Sequence, residues 1–202
     1  MSTRIALDGV GGQGVRVIAG VMGALLARMG KEVTVLFDYD SSVRGSMSDA
    51  FLIFDDEPIA NPVVEEADIM LKLADKGHLR ISGRKVVADL GLDVPGAEQI
   101  PFASLGSQLF GKELFGNMIA LGRLLRLASI DFNEAAIRES LPKRYVDDNV
   151  AAIRYGYELT DAEIARLAAA APPSRFEMNT AATAETHERT ISAGHGVAGG
   201  DG

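Results

Sequence analysis

Gly9, Gly11 and Gly14 stand in G-x-G-x-x-G spacing, and Gly12 and Gln13 complete the run Leu7-Asp8-Gly9-Val10-Gly11-Gly12-Gln13-Gly14-Val15. The chemistry such a run offers is anion binding by backbone. Without side chains the chain turns tightly and lets a phosphate approach the free N–H groups at the positive end of a following helix. The motif alone supports two readings with equal force: a dinucleotide or anion site, or glycines that only let strand and helix pack closely. Arg44 is the other residue equipped for an anion, as the one cation of the polar loop Asp38-Tyr39-Asp40-Ser41-Ser42-Val43-Arg44-Gly45-Ser46. It can clamp an anion, meet a partner or simply stay solvated. Asp38 is the acid that a dinucleotide fold sets on a ribose hydroxyl, or else a residue that ends a strand.

Other chemistries find no support. No nucleophile–base pair, paired-carboxylate site or metal-ligand spacing stands out, so no catalytic residue and no metal ligand is assigned. The chain contains no cysteine, which removes disulfides, thiolate zinc sites, thiol nucleophiles and Cys-ligated iron–sulfur clusters. His78, near Lys76, reads as a surface residue, and His187 and His195 lack a carboxylate framework that would make them metal ligands. A net charge of −8 argues against nucleic acid as a partner. The apolar fraction of 47% and charged fraction of 24% are those of a globular domain. No basic-then-apolar signal segment and no membrane-length apolar run is found, so a cytoplasmic protein is expected.

The elements that position these residues read as α/β, a Rossmann-like open sheet with a glycine-rich first βα loop. Ile5 to Leu7 predicts the first strand. A helix beginning near Gln13 carries Val17, Ile18, Val21, Leu25 and Leu26 at helical spacing and ends at Gly30. Val33 to Phe37 predicts the second strand, completing βαβ with a right-handed crossover. Ala50 to Phe54 followed by Asp55-Asp56-Glu57-Pro58 and Ile59 predicts a hairpin returning toward Pro62. Ile69 to Leu73 and Val86 to Ala88 are further buried strands.

The second half reads as helical. Asn117 to Leu127 is apolar around most of its circumference and so well buried. Asp131 with Glu134 predicts a capping box for a helix through Ser140, Asp147 opens another containing Val150, Ile153 and Tyr157, and Thr160 with Glu163 starts a last one. Pro172 and Pro173 stop it, so residues 1–172 form the domain and residues 173–202 an extended tail. From Ser174 the composition is too poor in large apolar residues to pack a core. This tail is a solvated terminus or a partner-wrapping arm anchored by Phe176, Met178 and Ile191.

Four blocks in order resemble one family. Gly9-Val10-Gly11-Gly12-Gln13-Gly14-Val15, Val43-Arg44-Gly45-Ser46-Met47-Ser48, Glu57-Pro58-Ile59 with Ala67-Asp68-Ile69, and Asn117-Met118-Ile119-Ala120-Leu121-Gly122 are similar to successive blocks of the gamma subunit, or gamma domain, of 2-oxoacid:acceptor oxidoreductases. The resemblance runs from about Ile5 to Tyr157, with Asn149, Ala152 and Gly156-Tyr157 resembling the family's closing helix. Ser46 stands where the family commonly has a second glycine. The tail lies outside the resemblance.

The resemblance implies a subunit of an acyl-CoA-forming oxidoreductase of anaerobic metabolism. In that family, thiamine diphosphate with Mg on alpha and beta subunits attacks the 2-oxoacid and carbon dioxide leaves. Electrons pass through iron–sulfur clusters, partly in a ferredoxin-like delta subunit, to ferredoxin or an NAD-linked acceptor, and the acyl group goes to coenzyme A. Pyruvate, ketoisovalerate, 2-oxoglutarate, indolepyruvate and phenylglyoxylate enzymes share the module. A gamma chain is then non-catalytic alone: it supports assembly of the hetero-oligomer and helps shape the coenzyme A approach. On that reading Gly9, Gly11, Gly12, Gln13, Gly14 and Arg44 meet an anionic portion of coenzyme A or an acidic partner surface. The alternatives are a self-sufficient NAD-binding oxidoreductase using Gly9, Gly11, Gly14 and Asp38, and a purely structural subunit whose glycine loop binds nothing.

Overall fold

A computed structural model describes residues 2–10, 14–39, 47–74, 81–92 and 94–170. Gly11, Gly12, Gln13, Arg44, Ser46, Lys76, His78 and the whole tail, with His187 and His195, lie outside these residues.

The first strand, β1 (Thr3–Val10), holds Ile5, Ala6 and Leu7 at no solvent exposure, because the sheet continues on both of its sides. α1 (Val15–Arg28) follows, then β2 (Glu32–Tyr39), β3 (Met47–Asp55), β4 (Glu66–Lys72), β5 (Ser82–Asp89) and β6 (Glu98–Ile100). Helices α2 (Phe102–Phe110), α3 (Gly116–Leu127), α4 (Glu134–Ser140), α5 (Val146–Glu158) and α6 (Asp161–Ala170) complete the chain, with a 3-10 turn at Glu113–Phe115. The six strands form one mixed sheet in the order β2-β3-β1-β4-β5-β6. β3 runs antiparallel to both β2 and β1, whereas β1, β4, β5 and β6 are parallel.

The open α/β sheet with α1 following β1 is the expected architecture, with two corrections to strand pairing. β2 does not neighbour β1, because β3 lies between them. The hairpin expected from Ala50 toward Pro62 is made in the other direction: β3 pairs back onto β2, and residues 56–65 contain no strand. Both edges of β3 are occupied, so a returning segment has no ladder to join, and Pro58 and Pro62 lack the N–H to build one.

Helices cover one face. Their buried side chains join Ile5, Leu7, Leu52, Ile69, Leu71 and Val87 in a single large cluster. The alternating residues Ala6 and Met70 belong to a separate small cluster with Phe51, Val64, Ile81 and Val86. α1 presses its Ile18, Met22, Leu25 and Leu26 onto the sheet; Val17, expected on that face, is 46% exposed and turns outward. Gly30, at φ 82, ends the helix as expected, with its N–H donating to Ala27 O and that of Lys31 donating to Leu26 O.

The helical half is locked by two glycines and one arginine. A Cβ on Gly122 of α3 would overlap Ile153 O of α5, and one on Gly156 of α5 would overlap Ile119 O of α3. The two backbones therefore touch. Arg123, 4% exposed, donates from Nε and Nη2 to Glu98 at 2.8 Å each, from Nη1 to Leu159 O at 2.9 Å and from Nη2 to Asp161 at 3.3 Å. Burial works against its charge, but Glu98 and Asp161 more than offset this and hold its pKa above the ordinary value. One side chain thus ties α3 to β6 and to the start of α6.

Capping follows the sequence in part. Thr160 and Glu163 form the expected reciprocal box: Thr160 N donates to Glu163 Oε2 at 2.9 Å and Glu163 N to Thr160 Oγ1 at 3.3 Å. At α4 the cap is Asn133 rather than Asp131. Its Oδ1 accepts from Ala136 N at 3.1 Å, while Glu134 pairs with Arg138 and Arg154.

Candidate functional site

The carboxyl ends of β1, β4 and β5 meet the starts of three helices. Gly14 begins α1 in the left-handed region, φ 78, and its carbonyl accepts from the N–H groups of Val17 at 2.9 Å and Ile18 at 3.0 Å. Any Cβ here would overlap the amide of Asn117 in the first turn of α3. A Cβ on Gly116 would in turn overlap Phe102 O, where α2 begins. Two small residues thus bring three helix starts together above one end of the sheet.

Electrostatics at the start of α1 favour an anion. α1 has no acidic residue in its first turn and no side chain capping its amides, and Arg16 adds a cation there, whereas α3 continues the 3-10 turn Glu113–Phe115 and the Gly116 N–H donates to Glu113 O. α2 differs, because Asp89 at the end of β5 accepts from Phe102 N at 3.2 Å. Burial pushes the Asp89 carboxyl up to about 6, against the N–H groups of Phe102 and Leu90 that favour its ionised form.

A row of charged residues crosses the sheet at the same level. Register aligns Asp38 with Asp49, Asp49 with Asp8, and Asp8 with Lys72. Residues opposite one another share a face, so all four lie on the face that carries Ala6 and Met70, away from the helices. Asp8 is 2% exposed and its Oδ2 lies 3.3 Å from Lys72 Nζ, a buried ion pair beside the glycine turn. The ends of β1 and β4 are joined again by Leu73 N donating to Asp8 O at 2.8 Å.

Of the residues expected from sequence to bind an anion, Gly9 is the last residue but one of β1, opposite Ser48, and Gly14 is the N-cap of α1; Gly11, Gly12, Gln13 and Arg44 lie outside the described residues. Asp38 is exposed near the end of β2, two strands and so about 10 Å from β1. That removes it from the neighbouring-strand position where a dinucleotide fold puts its ribose acid. Asp8, Lys72, Asp89 and Asn117 were assigned no role from sequence. Asn117 did stand in a block carrying the family resemblance; Lys72 gave no signal, because its pairing depends on strand order. Among the described residues no group of acids and histidines could hold a metal ion, and no helix is long and apolar enough to cross a membrane.

The family of pyruvate ferredoxin/flavodoxin oxidoreductases matches residues 4–159. The chain belongs to that family. It is a subunit of a 2-oxoacid oxidoreductase, as its four sequence blocks imply, and a self-sufficient dinucleotide enzyme finds no support. It is 30% identical over 177 residues to a 2-oxoglutarate synthase subunit KorC of Methanocaldococcus jannaschii, covering 79% of this chain and 94% of that one. A second KorC subunit, of Archaeoglobus fulgidus, is 30% identical over 161 residues, covering 77% and 86%. The fold is that of the gamma subunit of a keto/oxoacid ferredoxin oxidoreductase from Geobacter sulfurreducens, with a TM-score of 0.63 at 23% identity over 78% of this chain and 95% of that one.

Proposed function

We propose that this chain is the gamma subunit of a cytoplasmic 2-oxoglutarate:acceptor oxidoreductase, built with thiamine-binding alpha and beta subunits and a ferredoxin-like delta subunit. The substrate follows from two relatives named as 2-oxoglutarate synthase subunits, one of them matched over 94% of its length. The overall reaction consumes 2-oxoglutarate and coenzyme A and passes two electrons to the acceptor, and yields succinyl-CoA, carbon dioxide, a proton and the reduced acceptor. Thiamine diphosphate, when bound by the partners, supplies the carbanion chemistry of decarboxylation. With no cysteine in this chain, iron–sulfur clusters are ligated elsewhere.

The chain's own part is electrostatic. The observation that carries it is the meeting of Gly14 and Asn117, which sets the uncapped start of α1 against the first turn of α3. Backbone N–H groups of the Gly9 to Gly14 turn, with Arg44, bind an anionic portion of coenzyme A there and orient it toward the partner subunits. The assembled complex is the test object. It should oxidise 2-oxoglutarate in preference to pyruvate or 2-ketoisovalerate, and Arg44→Ala should raise KM for coenzyme A about tenfold with intact assembly. A preference for pyruvate rejects the substrate assignment. An unchanged KM for coenzyme A in Arg44→Ala removes Arg44 from the site.

A further inference from the structure

The two edges of the sheet are built differently. β6 is three residues long and packs against α6, a short and covered edge. β2 is eight residues long and pairs with β3 throughout, from Glu32 opposite Asp55 to Tyr39 opposite Ser48. Among the described residues no strand joins its outer side. Such an edge offers a row of backbone donors and acceptors, and proteins ordinarily blunt it with charged side chains, lysine above all, with proline, a bulge or a covering element. The β2 sequence Glu-Val-Thr-Val-Leu-Phe-Asp-Tyr has no lysine, arginine, proline or glycine, its charges are the acids Glu32 and Asp38 toward its two ends, and its register with β3 is unbroken. Leu36, 43% exposed, presents apolar surface on one face, and Phe37, 38% exposed, presents the rest of its ring on the other, with the Arg16 guanidinium 5.2 Å from the ring centroid.

We propose that β2 is the docking edge for an extended segment of a partner subunit, which joins the sheet as a further strand and sets basic side chains against Glu32 and Asp38. The ladder supplies main-chain hydrogen bonds, and Leu36 and Phe37 supply one apolar contact on each face. Charge complementarity points to the occupant. Two copies of β2 paired antiparallel would bring four acids and no base onto one face of the ladder, and in the register about Val35 Glu32 of each would stand directly opposite Asp38 of the other, which is destabilising. A foreign strand with lysine or arginine at those positions turns both repulsions into attractions. The assignment rests on the subunit reading above.

Amide hydrogen exchange on the isolated chain and on the assembled complex tests it. The outward amides of β2 should exchange about tenfold or more slowly in the complex. Leu36→Lys should weaken assembly about tenfold while leaving the thermal midpoint of the isolated chain unchanged. Leu114→Lys, at a 48% exposed leucine remote from β2 in sequence, should assemble normally. A complex that forms with β2 exchange and Leu36→Lys assembly both unchanged overturns the docking edge and leaves the subunit reading standing. Protection of β2 in a dimer of this chain alone overturns it in favour of a second copy. Absence of a complex with any thiamine-binding partner rejects the subunit reading and this proposal together.

Discussion

The side-chain amide of Asn117 fills the space that a Cβ would need at Gly14, so α1 and α3 start against one another. Glycine is favoured at position 14 chiefly by the left-handed backbone and less by that contact, since a side-chain amide can turn aside. Gly14→Ala should destabilise the chain by about 1–3 kcal/mol, of which the backbone accounts for roughly 1–2 kcal/mol. Adding Asn117→Ala relieves the contact and leaves the backbone penalty. Urea denaturation of the double variant should therefore show a smaller loss than the sum of the singles, and strict additivity would contradict the contact.

Asp89 should make stability depend on pH in an unusual direction. Its folded pKa of about 6 lies above the ordinary value of 3.8, so the folded state holds the proton more tightly than the unfolded state. Stability from this group is complete below about pH 4, falls as pH rises to about 6 and is flat above. Asp89→Asn keeps an acceptor for Phe102 N and never ionises. It should be more stable than the parent at pH 7 by about 1–2 kcal/mol, after allowance for partial exposure, and equal to it at pH 4. Denaturation curves at the two pH values check this; a parent that gains stability between pH 4 and 6 relative to the variant would reverse the assignment.

Arg123 holds three elements through one guanidinium. Arg123→Met should cost about 3–5 kcal/mol, because it leaves Glu98 and the Leu159 carbonyl without their donor in a mostly buried place. Arg123→Lys should recover only part, since an ammonium cannot reproduce the paired contact to Glu98. Equal stability of the methionine variant and the parent in thermal unfolding would show that the network is decorative.

Gly122 and Gly156 allow no side chain. Alanine at either should force α3 and α5 apart and lower the thermal midpoint by about 10 °C or more, or abolish soluble expression. Alanine at Gly20, where a Cβ meets nothing, should be neutral or slightly stabilising. A Gly122→Ala variant as stable as Gly20→Ala would refute the close crossing.

Sequence alone revealed what is encoded locally. β1 was legible as an apolar run ending in glycines, α3 as a helix buried nearly all round, and the start of α6 from Thr160 and Glu163 three residues apart. Strand order was not legible: that β3 rather than β2 neighbours β1 is decided by edges meeting in space, to which a local pattern is blind. α2 was missed because Ser104, Gly106, Ser107 and Gln108 dilute its periodicity and because its cap, Asp89, comes from a strand 13 residues earlier. The glycine loop itself was plain, yet the buried Asp8–Lys72 pair beside it was not, since that pairing exists only once β1 and β4 are adjacent.

The position of β1 between an antiparallel and a parallel neighbour bears on how the chain folds. β2 and β3 lie close in sequence and their ladder closes only a short loop, whereas β1 meets β4 across 64 residues, as between Arg4 and Asp68. The hairpin is therefore expected to form first at low entropic cost, and docking of β1 onto β4 to be the slower step. Substitutions at the β1–β4 seam, such as Ile69→Val, should slow refolding, while those in α6 should chiefly hasten unfolding. For a subunit that meets partners during assembly, that order would have the edge strand β2 formed before the helical half has closed behind it.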